Sequence, residues 1–356
     1  MGHAVGSTKP KKISYASAKV KSVYKGSEKI WSSGYDQGVA VFLKSSNVYD
    51  IFISEDKWAT CTKNLSEVTL GGTQSYIRIE RYNNEVIYII IQSYSSGGVY
   101  IYKLDIDSKS VSLVTYFDAP SGQIARLCSK DGIIPFTKRD ANNTNAWYMS
   151  MFRCSDETIT DWVYIGDNST GYISITENKS AFKESSSYDF LTRIYDPATG
   201  VIGSHIWKTL TQTEVRSVTS MLYLFDVLVF IYDGKIGYST DGNTFTIIAT
   251  WASTHYPNMT GFNQVAFGNN RYVFSTSATG GSYGIVLTTT DGKSFTKAEL
   301  TISNSSSRLA YDGKQFVISY YGSPSLFYTS DDGIVWTQHS VAATTGAGYS
   351  NPFLIG

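Results

Sequence analysis

Cysteine is scarce in this chain of 356 residues: Cys61, Cys128 and Cys154 are the only three. An odd number without Cys-x-x-Cys spacing argues against a disulfide framework and against a zinc ribbon, and leaves three small apolar side chains suited to an interior. Charge is scarce too, at 17% of residues, and 30 basic side chains cancel 30 acidic ones. No global field then draws nucleic acid or an anionic membrane, so a partner must be recognised by local contacts, which suits a neutral glycan or a protein surface. No run approaches the roughly 20 apolar residues of a membrane-spanning helix, and no membrane insertion is expected. The basic cluster Lys9-Pro10-Lys11-Lys12 is not followed by an apolar segment, so no secretory signal is read there. The expectation is a protein that reaches the outside of a cell by lysis or by assembly into a particle. Chemistry-bearing motifs are equally thin. His3, His205, His255 and His339 stand isolated, and HExxH, Cys/His ligand spacing, a G-x-S-x-G elbow and a glycine-rich strand-to-helix loop are all missing. No cofactor and no metal are expected.

What is present is material for strands and turns: 27 Tyr, 17 Phe and 30 Gly. Aromatic and β-branched side chains suit a pleated, half-buried surface, and no segment carries a convincing helical period, so the chain reads as all-β. Internal similarity organises its C-terminal part. The segments Val227 to Ile248, Gln264 to Leu300 and Arg308 to Val341 share one order of features. An apolar strand leads into a tight turn at Asp233-Gly234, Asn269-Asn270 or Asp312-Gly313, two further strands follow, and then comes a second turn with an aromatic behind it. Asp-Gly and Asn-Asn supply the positive φ that two-residue hairpins need. Asp241 precedes Asp291 by 50 residues and Asp291 precedes Asp331 by 40, a period that belongs to a four-stranded blade.

The second turns read Ser239-Thr240-Asp241-Gly242 with Phe245, Thr289-Thr290-Asp291-Gly292 with Phe295, and Ser330-Asp331-Asp332-Gly333 with Trp336. They resemble Asp boxes, the turns of sialidase-like propellers. The resemblance implies a structural role: hydroxyl and carboxylate bond back to the turn while the aromatic staples it to the blade. These residues are therefore not expected to be catalytic.

Upstream the pattern decays but the rhythm persists. Val39 to Thr60 ends in Ser54-Glu55-Asp56-Lys57-Trp58, a damaged relative of the same turn, and Ser155 to Trp162 is a degenerate one. Together these segments predict a β-propeller of about seven four-stranded blades, six or eight being compatible. The expected layout is a basic arm and β-hairpin over 1–34, serving as anchor or ring-closing strand, a propeller over 35–345 and a tail over 346–356.

Valine, tyrosine, a Lys25-Gly26-Ser27-Glu28 turn, isoleucine and tryptophan in Lys19 to Trp31 are similar to segments of tailed-phage structural proteins. That resemblance implies a virion location and other virion or tail proteins as partners. The sialidase resemblance requires three convergent arginines, a Tyr–Glu pair and an Asp acid. The early F/Y-R-I-P signature is missing, and Arg78, Arg81, Arg126, Arg139, Arg153 and Arg193 are the arginines considered for such a cluster. The leading expectation is thus a non-enzymatic phage tail or fibre propeller that binds a host-surface glycan. A sialidase-like glycoside hydrolase is the runner-up, and a purely structural scaffold or decoration protein the third reading. Trp147, Tyr148, Trp251, His255 and Tyr256, in sequence that reads as loop, are the candidate ligand contacts because aromatic faces stack on sugar rings.

Overall fold

The computed structural model describes residues 14–15, 18–19, 22–25, 28–32, 38–45, 47–54, 62–71, 74–83, 85–93, 97–118, 126–128, 132–140, 146–167, 173–176, 179–183, 189–195, 202–209, 218–232, 235–241, 244–248, 259–278, 284–300, 307–320, 326–340 and 350–355. Two short hairpins come first, β1 (Ser14–Tyr15) with β2 (Ala18–Lys19) and β3 (Ser22–Lys25) with β4 (Glu28–Ser32). Next are β5 (Gly38–Ser45), β6 (Val48–Ser54) and β7 (Thr62–Thr69), then β8 (Gln74–Arg81), β9 (Val86–Ser93), β10 (Gly98–Asp105) and β11 (Ser110–Asp118). The middle of the chain supplies β12 (Arg126–Cys128), β13 (Ile133–Arg139), β14 (Ala146–Arg153), β15 (Thr158–Ile159) and β16 (Val163–Asp167). It continues with β17 (Ile173–Thr176), β18 (Lys179–Lys183), β19 (Asp189–Tyr195) and β20 (Ile202–Thr209). The last part holds β21 (Val218–Leu224), β22 (Val227–Tyr232), β23 (Lys235–Ser239) and β24 (Thr246–Ile247). After these run β25 (Met259–Gly268), β26 (Arg271–Ala278), β27 (Gly284–Thr289), β28 (Thr296–Leu300), β29 (Ser307–Tyr311), β30 (Phe316–Tyr320), β31 (Leu326–Ser330), β32 (Thr337–Ser340) and β33 (Ser350–Ile355).

Among the described residues every strand pairing but one is antiparallel, and the sheets follow chain order as small meanders, so the chain is an all-β propeller. Among the described residues, and besides the two N-terminal hairpins, six sheets have four strands and one has five. The five-stranded sheet arises because β12 leaves its own neighbours and runs parallel to β17, Arg126 opposite Ser174 and Cys128 opposite Thr176. The uniform four-stranded plan expected from the repeat breaks there. The ring is joined across the termini: β33 pairs with β5 in the sheet order β33-β5-β6-β7.

Period-2 alternation explains why the sheets stack face to face. On β9, Ile87, Ile89 and Ile91 point to one side and pack with Val39, Val41, Tyr49 and Ile51 of the sheet before. Tyr88 and Ile90 point to the other side and pack with Ile134, Phe136 and Phe152 of the sheet after. The same division holds on β26, where Tyr272 and Phe274 join Leu222 and Val229 while Val273 joins Phe316 and Ile318. The core is therefore a set of layers between sheets, each buried aliphatic or aromatic side chain contributing roughly 1.5–3 kcal/mol.

Turn chemistry sets the sheet geometry. Asn269 and Asn270 both have positive φ, 48° and 56°, as a two-residue hairpin between β25 and β26 requires. Phe225 and Asp226 do the same between β21 and β22 at 48° and 61°. A phenylalanine is costly in that region, and here its ring lies edge-on to Tyr272 at 4.9 Å and Phe267 at 6.2 Å in the next sheet.

Candidate functional site at a sheet junction

Turns that place an aspartate two residues after a hydroxyl or thiol residue recur around the ring, and their chemistry can be compared. In the β31–β32 turn, Asp332 accepts hydrogen bonds from the backbone N–H of Ile334 (2.8 Å) and Val335 (2.9 Å) and from the Ser330 hydroxyl (3.1 Å). Trp336 Nε1 donates to the Gly333 carbonyl at 3.1 Å. In the β27–β28 turn, Asp291 accepts from Lys293 N (2.8 Å) and Ser294 N (2.7 Å), and Gly292 N donates to the Thr289 hydroxyl at 2.9 Å. In the β23–β24 turn, Asp241 accepts from Thr244 N at 2.8 Å and from Ser239 Oγ at 3.3 Å. Phe245, Phe295 and Trp336 pack on the apolar layers. Gly242 lies outside the described residues.

The glycines of two of these turns join neighbouring sheets. Gly333 has φ +68°, and a Cβ there would stand 2.5 Å from Val273 Cγ2 and 2.8 Å from Thr288 Oγ1 of the preceding sheet. The Thr288 hydroxyl donates to the Gly333 carbonyl at 2.7 Å, and Arg271 Nη1 donates to the Asp332 carbonyl at 2.8 Å. At Gly292, φ +71°, a Cβ would stand 3.1 Å from Val227 Cβ and 3.2 Å from the Leu224 carbonyl oxygen, which flank the first turn of its preceding sheet.

The β14–β15 turn begins in the same way and ends differently. Cys154-Ser155-Asp156-Glu157 places a thiol where the others have a hydroxyl, an aspartate at the same step, and Glu157 where the others have glycine. Asp156 accepts from Thr158 N (3.3 Å) and Thr158 Oγ1 (2.7 Å), and the hydroxyl bond holds its carboxyl below the ordinary pKa. Glu157 keeps the left-handed backbone, φ 56°. A residue with a Cβ is about 1–2 kcal/mol worse than glycine there.

Besides touching Tyr88 and Lys103 of the preceding sheet, this turn lines a cleft of about 410 Å³ through residues 154–157, together with Tyr82, Asn83, Val86, Tyr88 and Lys103. Tyr82, Asn83 and Val86 belong to the first turn of the preceding sheet, the place Leu224 and Val227 hold opposite Gly292. Glu157 Oε1 accepts from Lys103 Nζ at 2.7 Å and from the Tyr88 hydroxyl at 3.2 Å. The Tyr88 O–H also points at the Cys154 carbonyl, 3.2 Å away. Both members of the Lys103–Glu157 pair are about one-third exposed, at 33% and 36%, so the pair contributes at most about 1 kcal/mol.

Burial sets the protonation states behind the cleft. Desolvation pushes the Tyr88 phenol far up, with Cys154 and Glu157 adding to the shift, so Tyr88 is a hydrogen-bond donor at any physiological pH. The buried Cys154 thiol is likewise pushed up, first by desolvation and then by the carboxylates of Glu80 and Glu157, which excludes a ready thiolate nucleophile. Glu157 and Lys103, each about one-third exposed, and the more exposed Asp156, which pairs with Arg153, are the acidic and basic groups at the cleft, with Tyr88 as a neutral donor. Among the described residues no group of three His, Cys, Asp or Glu side chains could hold a metal ion.

Of the residues proposed from sequence as ligand contacts, the two that are described do not line this cleft. Trp147 is fully buried within β14, opposite Arg139 and Gly166, and presents no face to a ligand. Its apolar neighbours Met149 and Met151 make this segment a core strand rather than a loop. Tyr148, on the other face of β14, is half-buried edge-on to Tyr164, ring centroids 5.7 Å apart. Trp251, His255 and Tyr256 lie outside the described residues. Of the arginines, Arg78 pairs with Glu80, Arg81 donates to the Asn83 carbonyl and Arg153 pairs with Asp156, three separate partners. The side chains of Arg126, Arg139 and Arg193 lie outside the described residues. Glu157 was missed, although a glutamate in the glycine place of a recognisable turn was the mark that could have found it.

No protein-family model matches the chain, and no curated protein matches it. Solved structures do. A protein of Bacteroides fragilis provisionally named a 6-phosphogluconolactonase superposes with a TM-score of 0.56 at 9% identity, covering 90% of this chain and 98% of its own. A protein of Bacteroides uniformis with the same provisional name gives 0.56 at 10% identity, covering 90% and 100%. The periplasmic gluconolactonase of Pseudomonas aeruginosa gives 0.56 at 7% identity, covering 90% and 99%. At such identities the likeness shows the propeller fold alone. It nevertheless overturns the expectation of a non-enzymatic phage tail or fibre propeller that binds host glycans. These three chains, matched over nearly their whole length, carry the names of lactonases, and none of the three is named as a virion protein. The physical reason for the error is that Asp-containing turns report how a blade is tied, which says nothing of what the ring does.

Proposed function

We propose that the chain is a propeller hydrolase that opens a lactone, a cyclic ester of a hydroxy acid. One observation carries the reading: a carboxylate, an ammonium and a neutral phenol, those of Glu157, Lys103 and Tyr88, meet at the wall of a cleft of about 410 Å³. The names of the structural neighbours supply the reaction class. The three glycine-containing turns are read as Asp boxes, with a structural part only.

The chemistry follows from the groups. Water placed beside Glu157 gives up a proton to the carboxylate as its oxygen bonds to the ester carbonyl carbon. Lys103 carries three N–H donors and one is used on Glu157, so a second is free to bond the oxyanion that develops. The ring C–O bond then breaks, the proton held by Glu157 passes to the departing alkoxide, and the product is the open hydroxy acid. Tyr88, donating to Glu157, keeps the carboxylate in place.

The test is acid release from glucono-δ-lactone, followed in a lightly buffered solution against the spontaneous rate. The wild type is expected to accelerate it, Glu157→Gln to lower kcat about 100-fold, and Lys103→Met to lower it about 10-fold or more. A wild type that releases acid no faster than buffer sinks the reading.

A further inference from the structure

We propose that the junction between the β8–β11 and β13–β16 sheets is a parted clasp, and that Glu157 is the residue that holds it open for a ligand. This rests on the cleft being the ligand site described above, and adds how that site came to exist in a ring whose Gly292 and Gly333 junctions are closed.

The argument is a substitution already made within the molecule. Three turns share a hydroxyl or thiol residue, any residue, an aspartate and then a left-handed position: 289–292, 330–333 and 154–157. At Gly292 and Gly333 the left-handed residue lies so close to the preceding sheet that a Cβ meets Val227 or Val273. At 157 the same backbone conformation bears a glutamate, which requires the preceding sheet to stand off. It does: Tyr82, Asn83 and Val86 line open space, and the Glu157 side chain reaches across to Lys103 and Tyr88. Local contacts repay the strained backbone only in part, because the Lys103–Glu157 pair is solvent-screened and Tyr88 could donate to the Cys154 carbonyl alone. A strained backbone that local contacts repay only in part, at the wall of a cleft, points to a use for the side chain.

The geometry therefore assigns Glu157 a stability penalty kept for binding, and the ligand class is a small molecule with hydroxyl donors for Glu157 and a carbonyl or carboxylate acceptor for Lys103. Three variants of the full chain separate backbone from side chain. Glu157→Gly is expected to melt about 2 °C above wild type, since it removes the strain. Glu157→Ala keeps the strain and should melt at or below wild type, and Glu157→Gln should stay close to it. Gluconate at 10 mM, a hydroxy acid of the proposed product class, is expected to raise the melting temperature of the wild type and leave that of Glu157→Gly unmoved. If Glu157→Gly melts no higher than Glu157→Ala, the backbone is unstrained and the parted clasp is wrong. If gluconate stabilises Glu157→Gly as well as wild type, Glu157 does not hold the site. A wild type without lactone turnover whose gluconate shift still depends on Glu157 overturns the hydrolase and leaves the parted clasp standing.

Discussion

Two junctions of this ring are built from the same turn and behave differently. Where β29–β32 meets β25–β28, Gly333 lies against Val273 and Thr288, two carbonyl bonds cross the interface, and Asn269 Nδ2 adds a third to the Asp331 carbonyl at 2.8 Å. Where β13–β16 meets β8–β11, the turn offers Glu157 instead, and the interface becomes a cleft closed by one screened ion pair and a phenol. Both junctions keep their apolar layers, Phe316 and Ile318 on Val273 in one and Phe136 and Phe152 on Ile90 in the other. The difference teaches that in a stacked-sheet ring the apolar layer holds the sheets together while the turn at its end decides whether the edge is sealed. An opening can then be made by one side chain without unmaking the core.

Breaking the sealed junction should have the largest effect. Gly333→Ala puts a methyl group 2.5 Å from Val273 Cγ2 on a backbone at φ +68°. The expected loss is about 3 kcal/mol, the sum of left-handed strain and overpacking. A shift of the urea midpoint to lower concentration measures it. If Gly333→Ala costs no more than an ordinary surface substitution, the sealed and open junctions do not differ as described.

Next in size is the aspartate that shapes the sealing turn. Asp332→Ala frees the Ile334 and Val335 N–H groups, which gain water in exchange, so the expected loss is about 1.5 kcal/mol. The pH dependence has a definite sign. Partial burial raises the pKa of Asp332, but the Val335 and Ile334 N–H bonds and the Ser330 hydroxyl outweigh it, and the folded value lies below the ordinary one. A depressed folded pKa gives stability that is present above the unfolded value near 3.9 and is lost as pH falls through the folded value. The stability gap between wild type and Asp332→Ala, read from urea midpoints, should therefore narrow below about pH 4. A gap that stays constant to pH 2 would show that the carboxylate's charge has no part in the turn.

How much of this was legible in the sequence divides along the same line. The sealing turns are shaped locally: the side-chain hydrogen bonds within Thr289 to Phe295 and Ser330 to Trp336 span at most three residues, and Asn269-Asn270 announces its own positive φ. Their repetition gave the propeller. The open junction is not local, because Glu157 finds Lys103 at a separation of 54 residues and Tyr88 at 69, and neither partner belongs to any motif. Phe225-Asp226 makes a hairpin turn that no turn-forming pair signals, since the neighbouring sheet's Phe267 and Tyr272 hold the ring. Trp147 was misread because asparagines precede it, while the alternation of Trp147, Met149 and Met151 buries it in a core strand. The pairing of β33 with β5 joins segments some 300 residues apart and left no local trace.

The smallest effect sharpens the comparison from the outer edge of the sealed junction. On β32, just past that turn, His339 stacks on Phe327 with centroids 5.0 Å apart and shares a 2.8 Å hydrogen bond between Nε2 and the Thr329 hydroxyl. Burial lowers its pKa below the ordinary 6.5, so the folded state favours the neutral ring. For a depressed histidine, stability is full above the unfolded pKa and is lost as pH falls through the folded value, because the unfolded chain takes up the proton first. Glutamine at this position retains a group able to bond Thr329 and cannot titrate. Between pH 8 and pH 5 the wild type should lose about 0.5 kcal/mol relative to His339→Gln, small because the ring is only half-buried. Urea midpoints at the two pH values read the difference. Parallel behaviour of the two proteins would mean that the imidazole titrates as freely in the fold as outside it, and that the outer strand of the sealed junction is no more closed to water than the cleft at Glu157.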